Sequence, residues 1–177
     1  MKGFTTKAIH QKFPKKDPNG SLQIPIYDSV AFEFDNSNDI ELAFLGKKPY
    51  HTYSRMSNPT LEYFEQKIRA LTNSLGVVSF SSGMAAISNL FLTVLSSGDN
   101  VITSNHLFGN TVSLLEKSLK PWGLDVKYGD LNDPESIVKL IDDKTRLIYF
   151  ETITNPQLEI VDIEKITKIA KEHNILV

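Results

Sequence analysis

From residue 59 onward the chain alternates between apolar residues at helical spacing and short apolar runs, and this alternation constrains the fold more than any other feature. Leu61, Phe64, Ile68 and Leu71 recur every three or four residues, as on one face of a helix. The run "GVVSF" (76–80) follows and predicts a strand. The same logic predicts a helix from Gly83 to Leu95, strand "NVITS", a helix around Val112 to Leu119, strand "LDVKY", a helix around Glu135 to Ile141 and strand "RLIYF". An amphipathic helix carrying Ile163, Ile166 and Ile169 then leads into a last apolar run, "NILV". Strands apolar on both faces need cover on both sides, and the intervening helices supply it. The predicted class is α/β, a doubly wound and largely parallel sheet.

Residues 1–58 read differently, because Pro14, Pro18, Pro25 and Pro49 interrupt every periodic stretch except "DIELAFLG", a short helix stopped by Gly46. The segment is predicted to be an extended arm that wraps over a partner, with residues 59–177 forming the α/β body. Lys12, Lys15 and Lys16, followed by Asp17, read as a solvated face. Val177 falls inside an apolar strand pattern with no turn after it, so the sheet is expected to continue past it.

Charge narrows the partners. With 19 basic and 21 acidic residues, a net charge of -2 offers no field to attract nucleic acid or an anionic membrane. The absence of cysteine excludes disulfides, thiolate catalysis and cysteine metal sites. His10, His51, His106 and His173 show no metal-ligand spacing, so no metal is expected. The start "MKGFTTKAIHQKF" has no apolar leader and no run is long enough to span a bilayer, which makes a cytoplasmic protein the expectation.

Four short stretches carry chemistry. In "SFSSGMAAI" small residues join a strand to a helix, so the amides of Gly83 and Met84, with Ser82, would face an anion; a plain capped turn is the other reading. No Walker loop and no G-x-G-x-x-G occurs, which weighs against ATP and NAD. In "YSRMSNPT", Tyr53 and Arg55 would leave an extended segment on one side and together suit a phosphate dianion, unless Arg55 merely pairs a surface carboxylate. Asn58 and Pro59 then read as the cap and first residue of a helix. "ETITNP" places Glu151, Thr154 and Asn155 at the carboxyl edge of the sheet, where ligands of open α/β folds bind, although Asn-Pro also starts ordinary turns. In "HLFGNT", Phe108 stands on the same edge, as a stacking surface or as core.

Taken together, in this order and spacing, "YSRMSNPT", "SSGMAA", "HLFGNT" and "ETITNP" resemble the Cys/Met-metabolism family of pyridoxal-phosphate enzymes, and "QIPIYDSVAFEF" is similar to its amino-terminal segment. The resemblance implies an aspartate-aminotransferase-type (fold type I) large domain, here its amino-terminal portion, and a homotetramer built as a dimer of dimers. It implies that Tyr53 and Arg55 bind the cofactor phosphate of the neighbouring subunit, and that Ser82, Gly83 and Met84 form the phosphate loop. By the same resemblance Phe108 stacks on the pyridine, Asn155 lies near the cofactor's phenolic oxygen and the substrate carboxylate, and Glu151 belongs to that motif.

Two departures matter. Phe108 stands where many members carry tyrosine, which points to the O-acetylhomoserine sulfhydrylase-like branch rather than a lyase. The family's Schiff-base lysine and the aspartate that pairs with the pyridinium nitrogen have no counterpart up to Val177, so no catalytic residue is assigned and the isolated chain is expected to be inactive. The expected activity of the complete enzyme is γ-replacement on O-acetylhomoserine, a small amino-acid substrate, by sulfide or a thiol. The alternatives are a cystathionine γ-synthase, a γ-lyase, a split enzyme needing a separate carboxyl half, and a non-catalytic interaction module.

Overall fold

The computed structural model describes residues 3–11 and 17–177; the expectation for Lys12, Lys15 and Lys16 lies outside them. Two compact units divide between Ser79 and Phe80, because helix α3 (Pro59–Thr72) packs against α1 (Phe4–His10) within the first.

The second unit is built on a three-stranded parallel sheet of order β2-β1-β3, from β1 (Asn100–Ser104), β2 (Asp125–Gly129) and β3 (Thr145–Tyr149). Every residue of central β1 is buried. Successive side chains of a strand leave on opposite faces, so Val101 and Leu147 join one core and Ile102 and Ile148 the other. Phe91 and Leu95, in and just after α4 (Gly83–Val94), cover the first face with Leu115 and Leu119. Ile137 of α7 (Pro134–Leu140) and Ile166 and Ala170 of α8 (Ile163–Glu172) cover the second. Gly129 makes the α7 contact possible, since a Cβ there would stand 2.8 Å from the terminal methyls of Ile137 and Leu140.

The helices start where cap chemistry places them. Ser82, Asp133 and Asp162 accept from the amides of Ala85, Glu135 and Lys165. The helix expected around Val112 to Leu119 is longer: α5 (Gly109–Leu114) runs through a π turn (Leu115–Leu119) into α6 (Lys120–Trp122). Pro121, which has no N–H for the i−4 carbonyl, stands two residues after the widened turn.

Two strand expectations change. The run 76–80 forms no strand, and Val78 and Phe80 are exposed, because among the described residues no strand lies alongside it. The run 174–177 makes a single parallel bridge to β3, with Ile148 N–H donating to Leu176 O at 2.9 Å and Leu176 N–H to Arg146 O at 3.0 Å. No helix of the described residues is long and apolar enough to cross a membrane.

The first unit holds α1, which proline-rich surroundings hid in the sequence, α2 (Ser37–Phe44) and α3. Among its described residues no hydrophobic side chain is buried, and Asn58 alone is. Asn58 caps α3 by accepting from Thr60 N–H at 2.8 Å, and its amide donates to Tyr27 O at 2.9 Å, clipping the chain at Tyr27 to the start of the helix.

Tyr128 in β2 donates to Glu116 Oε1 at 2.9 Å; burial first, and then this bond, push its pKa up to about 12. A raised pKa means that the contribution is whole below the unfolded value of about 10 and is lost as pH climbs toward the folded one. Tyr128→Phe is expected to flatten the fall of melting temperature across that alkaline window, measured by circular dichroism.

Candidate active site

The site region begins at the start of α4. Ser82 is extended (φ −159°, ψ 163°), its hydroxyl accepts from Ala85 N–H at 3.1 Å, and its carbonyl accepts from Ala86 N–H at 3.1 Å. Among the described residues nothing accepts from the amides of Gly83 and Met84. They are the positive end of a twelve-residue helix with no acid in its first turn. A Cβ on Gly83 would meet nothing within 4 Å, so the space by these donors is open.

The loop after β1 supplies the next wall. Buried Leu107 anchors it and leaves Phe108 45% exposed at the start of α5. Phe108 N–H donates to Glu151 Oε1 at 2.7 Å, joining the carboxyl ends of β1 and β3. Thr111 Oγ1 lies 4.0 Å from Met84 Sδ, bringing the first turns of α4 and α5 together. Behind them Tyr149 packs edge-on against Phe91, with centroids 4.9 Å apart. Burial, and then the charge of Glu151, raise the Tyr149 pKa, against a hydrogen bond with Thr111 that lowers it.

Asn155 is exposed in the turn of a small hairpin closed by the Ile153–Ile160 bridge, and its bond to Pro156 is cis. Thr154 beneath it is buried, its Oγ1 accepting from Glu159 N–H at 2.9 Å. Met84, Phe108 and Glu151 thus gather at one edge, while no hydrogen bond between described residues ties Asn155 to them.

Tyr53 and Arg55 lie in the first unit and meet by a different route from the one expected. Tyr53 is extended and bridges Ala31, but its carbonyl accepts from Met56 N–H at 2.9 Å and Ser57 N–H at 3.0 Å, so the chain turns at Arg55. The turn is needed to enter α3 at Asn58. The Arg55 guanidinium then lies 5.2 Å from the Tyr53 ring centre, and a cation–π contact, not strand alternation, pairs them. Sequence reading passed over Thr111, Tyr149 and a His106–Glu159 pair, whose partners are far away in the chain; a threonine in the first turn after "FG" was the sole local signal.

The family model for Cys/Met metabolism PLP-dependent enzymes matches residues 5–177. The chain belongs to this family. It is 39% identical over 175 residues to an L-methionine gamma-lyase of Pseudomonas deceptionensis, covering 99% of this chain and 44% of that one. It is 33% identical to the O-acetyl-L-homoserine sulfhydrylase of Corynebacterium glutamicum, covering 98% and 40%. A Campylobacter jejuni protein provisionally named an O-acetylhomoserine (thiol)-lyase, solved with N'-pyridoxyl-lysine-5'-monophosphate, superposes with a TM-score of 0.91 at 36% identity, covering 99% and 43%. The chain therefore spans less than half the length of the relatives it matches.

The fold is that of the type I PLP enzymes, present as a part of the α/β domain, and the cofactor of the Cys/Met-metabolism family is pyridoxal phosphate. The residues fit it: two free amides facing open space suit a phosphate dianion, and a half-exposed flat ring suits a pyridine face. Gly83→Ala has room for its methyl and gains helix propensity, so the melting temperature should hold or rise. The added methyl would stand in the open space beside these amides, where a phosphate would sit, and crowding it should nevertheless weaken pyridoxal-phosphate binding about tenfold, read by equilibrium dialysis.

Proposed function

We propose that the protein translated from the complete reading frame catalyses γ-replacement on O-acetylhomoserine, with sulfide or a thiol as acceptor, giving homocysteine or a methionine precursor. Bound pyridoxal phosphate supplies the electron sink for carbanion chemistry on the amino acid. In this reading the amides of Gly83 and Met84 and the Ser82 hydroxyl hold the phosphate, and the Phe108 ring covers the pyridine and excludes water. Glu151 fixes Phe108 through its main-chain N–H, while Asn155 donates toward the phenolic oxygen and the substrate carboxylate.

Tyr53 and Arg55 serve the phosphate site of a neighbouring subunit, with residues 1–58 as the arm that carries them and residues 59–177 as the first part of the cofactor-binding domain. Exposed Leu22, Ile26, Val30, Phe44 and Met56 support a covered arm within a dimer of dimers. No residue of this chain matches the family's Schiff-base lysine, so the 177-residue chain by itself is inactive in this reading, and the whole enzyme works in the cytoplasm.

The carrying observation is that position 108 presents a phenyl ring with no hydroxyl. A carboxylate such as acetate departs unprotonated at neutral pH, whereas a thiolate leaving group benefits from an acid beside it. The 39% identity to a methionine γ-lyase favours γ-elimination as the second reading. Homocysteine formed from O-acetylhomoserine and sulfide is expected to exceed methionine cleavage at least tenfold, with Phe108→Tyr narrowing the gap. Equal or faster release of methanethiol from methionine overturns the proposal in favour of the second reading.

A further inference from the structure

Two carboxylates from the segment after β3 reach back to alternate residues of the loop after β1. Glu151 Oε1 accepts from Phe108 N–H at 2.7 Å, and two residues earlier His106 Nδ1 stands 2.6 Å from Glu159 Oε2. Both ends of the second contact are held. His106 N–H donates to Ser104 Oγ at 2.9 Å at the end of buried β1. Glu159 N–H donates to Thr154 Oγ1 at 2.9 Å while its carbonyl accepts from Thr154 N–H at 3.0 Å, which closes residues 154–159 into a small loop. Asn155 lies inside that loop. The His106–Glu159 contact is thus the tie between the backbone that presents Phe108 and the backbone that presents Asn155.

The other ion pairs differ in kind. In the second unit, Lys120–Glu116 and Lys165–Asp162 each sit within one stretch of helix and its cap, while Lys127–Asp142 and Arg146–Asp99 join strands to the turns before β3 and β1, at the opposite end of the sheet from Phe108. The His106 and Glu159 side chains are 40% and 41% exposed, and a pair so open to water adds little to global stability. Beside the pair is a cavity of about 170 Å³ lined by Ser104, Asn105, His106, Asp130, Asn132 and Glu159. It lies at the carboxyl ends of β1 and β2, so a small solute can reach the pair.

We propose that His106 and Glu159 are positioning residues whose contact locks the Phe108 ring and the Asn155 amide into one rigid wall facing the cofactor. Neither touches the reacting atoms. This rests on the reading of Phe108 as the cofactor-facing ring.

The test uses the protein from the complete reading frame, loaded with pyridoxal phosphate, and reads the visible circular dichroism of the bound cofactor and its dissociation constant. His106→Ala and Glu159→Ala are each expected to change the dichroic band and weaken binding three- to tenfold while melting within about 2 °C of the parent, as an exposed pair should. The double variant should be no worse than either single one. Glu159→Gln, which keeps an acceptor, should restore most of the signal. In the 177-residue chain, hydrogen exchange at the Phe108 amide should speed up in His106→Ala.

Unchanged dichroism and unchanged Phe108 exchange in both alanine variants overturn the proposal. Should His106→Ala not fold, the comparison of Glu159→Ala with Glu159→Gln decides the matter in the same way. Phe108→Ala separates the two layers of inference. If it alters the cofactor band and the His106 and Glu159 variants do not, the positioning role falls and the site stands; if it is silent, the site reading itself falls.

Discussion

The burial of β1 on both faces governs the rest of the second unit. Val101 and Ile102 are each fully buried, and leaving either exposed would forfeit about 1.5–3 kcal/mol. A strand with that demand must sit in the middle of a sheet with helices on both sides, which assigns α4 and the α5–α6 helix to one face and α7 and α8 to the other. Parallel pairing then puts the carboxyl ends of β1 and β3 side by side. Phe108 and Glu151, which follow those two ends, meet for that reason and no other.

Charge at this edge is arranged so that acids do not oppose the open amides of α4. Glu151 is committed to the Phe108 main chain and Glu159 to His106, while the first turn of α4 carries none. Gly83 N–H and Met84 N–H, from which no described residue accepts, are donors. A helix end with uncommitted donors and no nearby uncommitted acid favours an anion before any particular ligand is named.

Much of this was legible where a local rule decides the outcome. The Asn58-Pro59 and Ser82-Gly83 pairs fix helix starts by capping chemistry, and the apolar runs of β1, β2 and β3 announce buried parallel strands. The run 76–80 misled because periodicity reports a preference for being sheeted without saying whether a neighbour exists to pair with. Arg55 misled because entry into α3 bends the backbone that alternation assumes to be straight. The His106–Glu159 contact was out of reach, since its partners are 53 residues apart and meet only after three strands have found their register.

That no hydrophobic side chain is buried among the described residues of the first unit bears on biogenesis. Its residues leave the ribosome before any part of the sheet has been made, and the described ones bring no buried hydrophobic core with which to settle on their own. Greasy side chains such as Phe44 and Leu22 then remain on offer to chaperones and to stray strands until something covers them. Dilution would prolong that wait if the cover is another protomer, so yield of sound protein would depend on how crowded the chain is with its own kind.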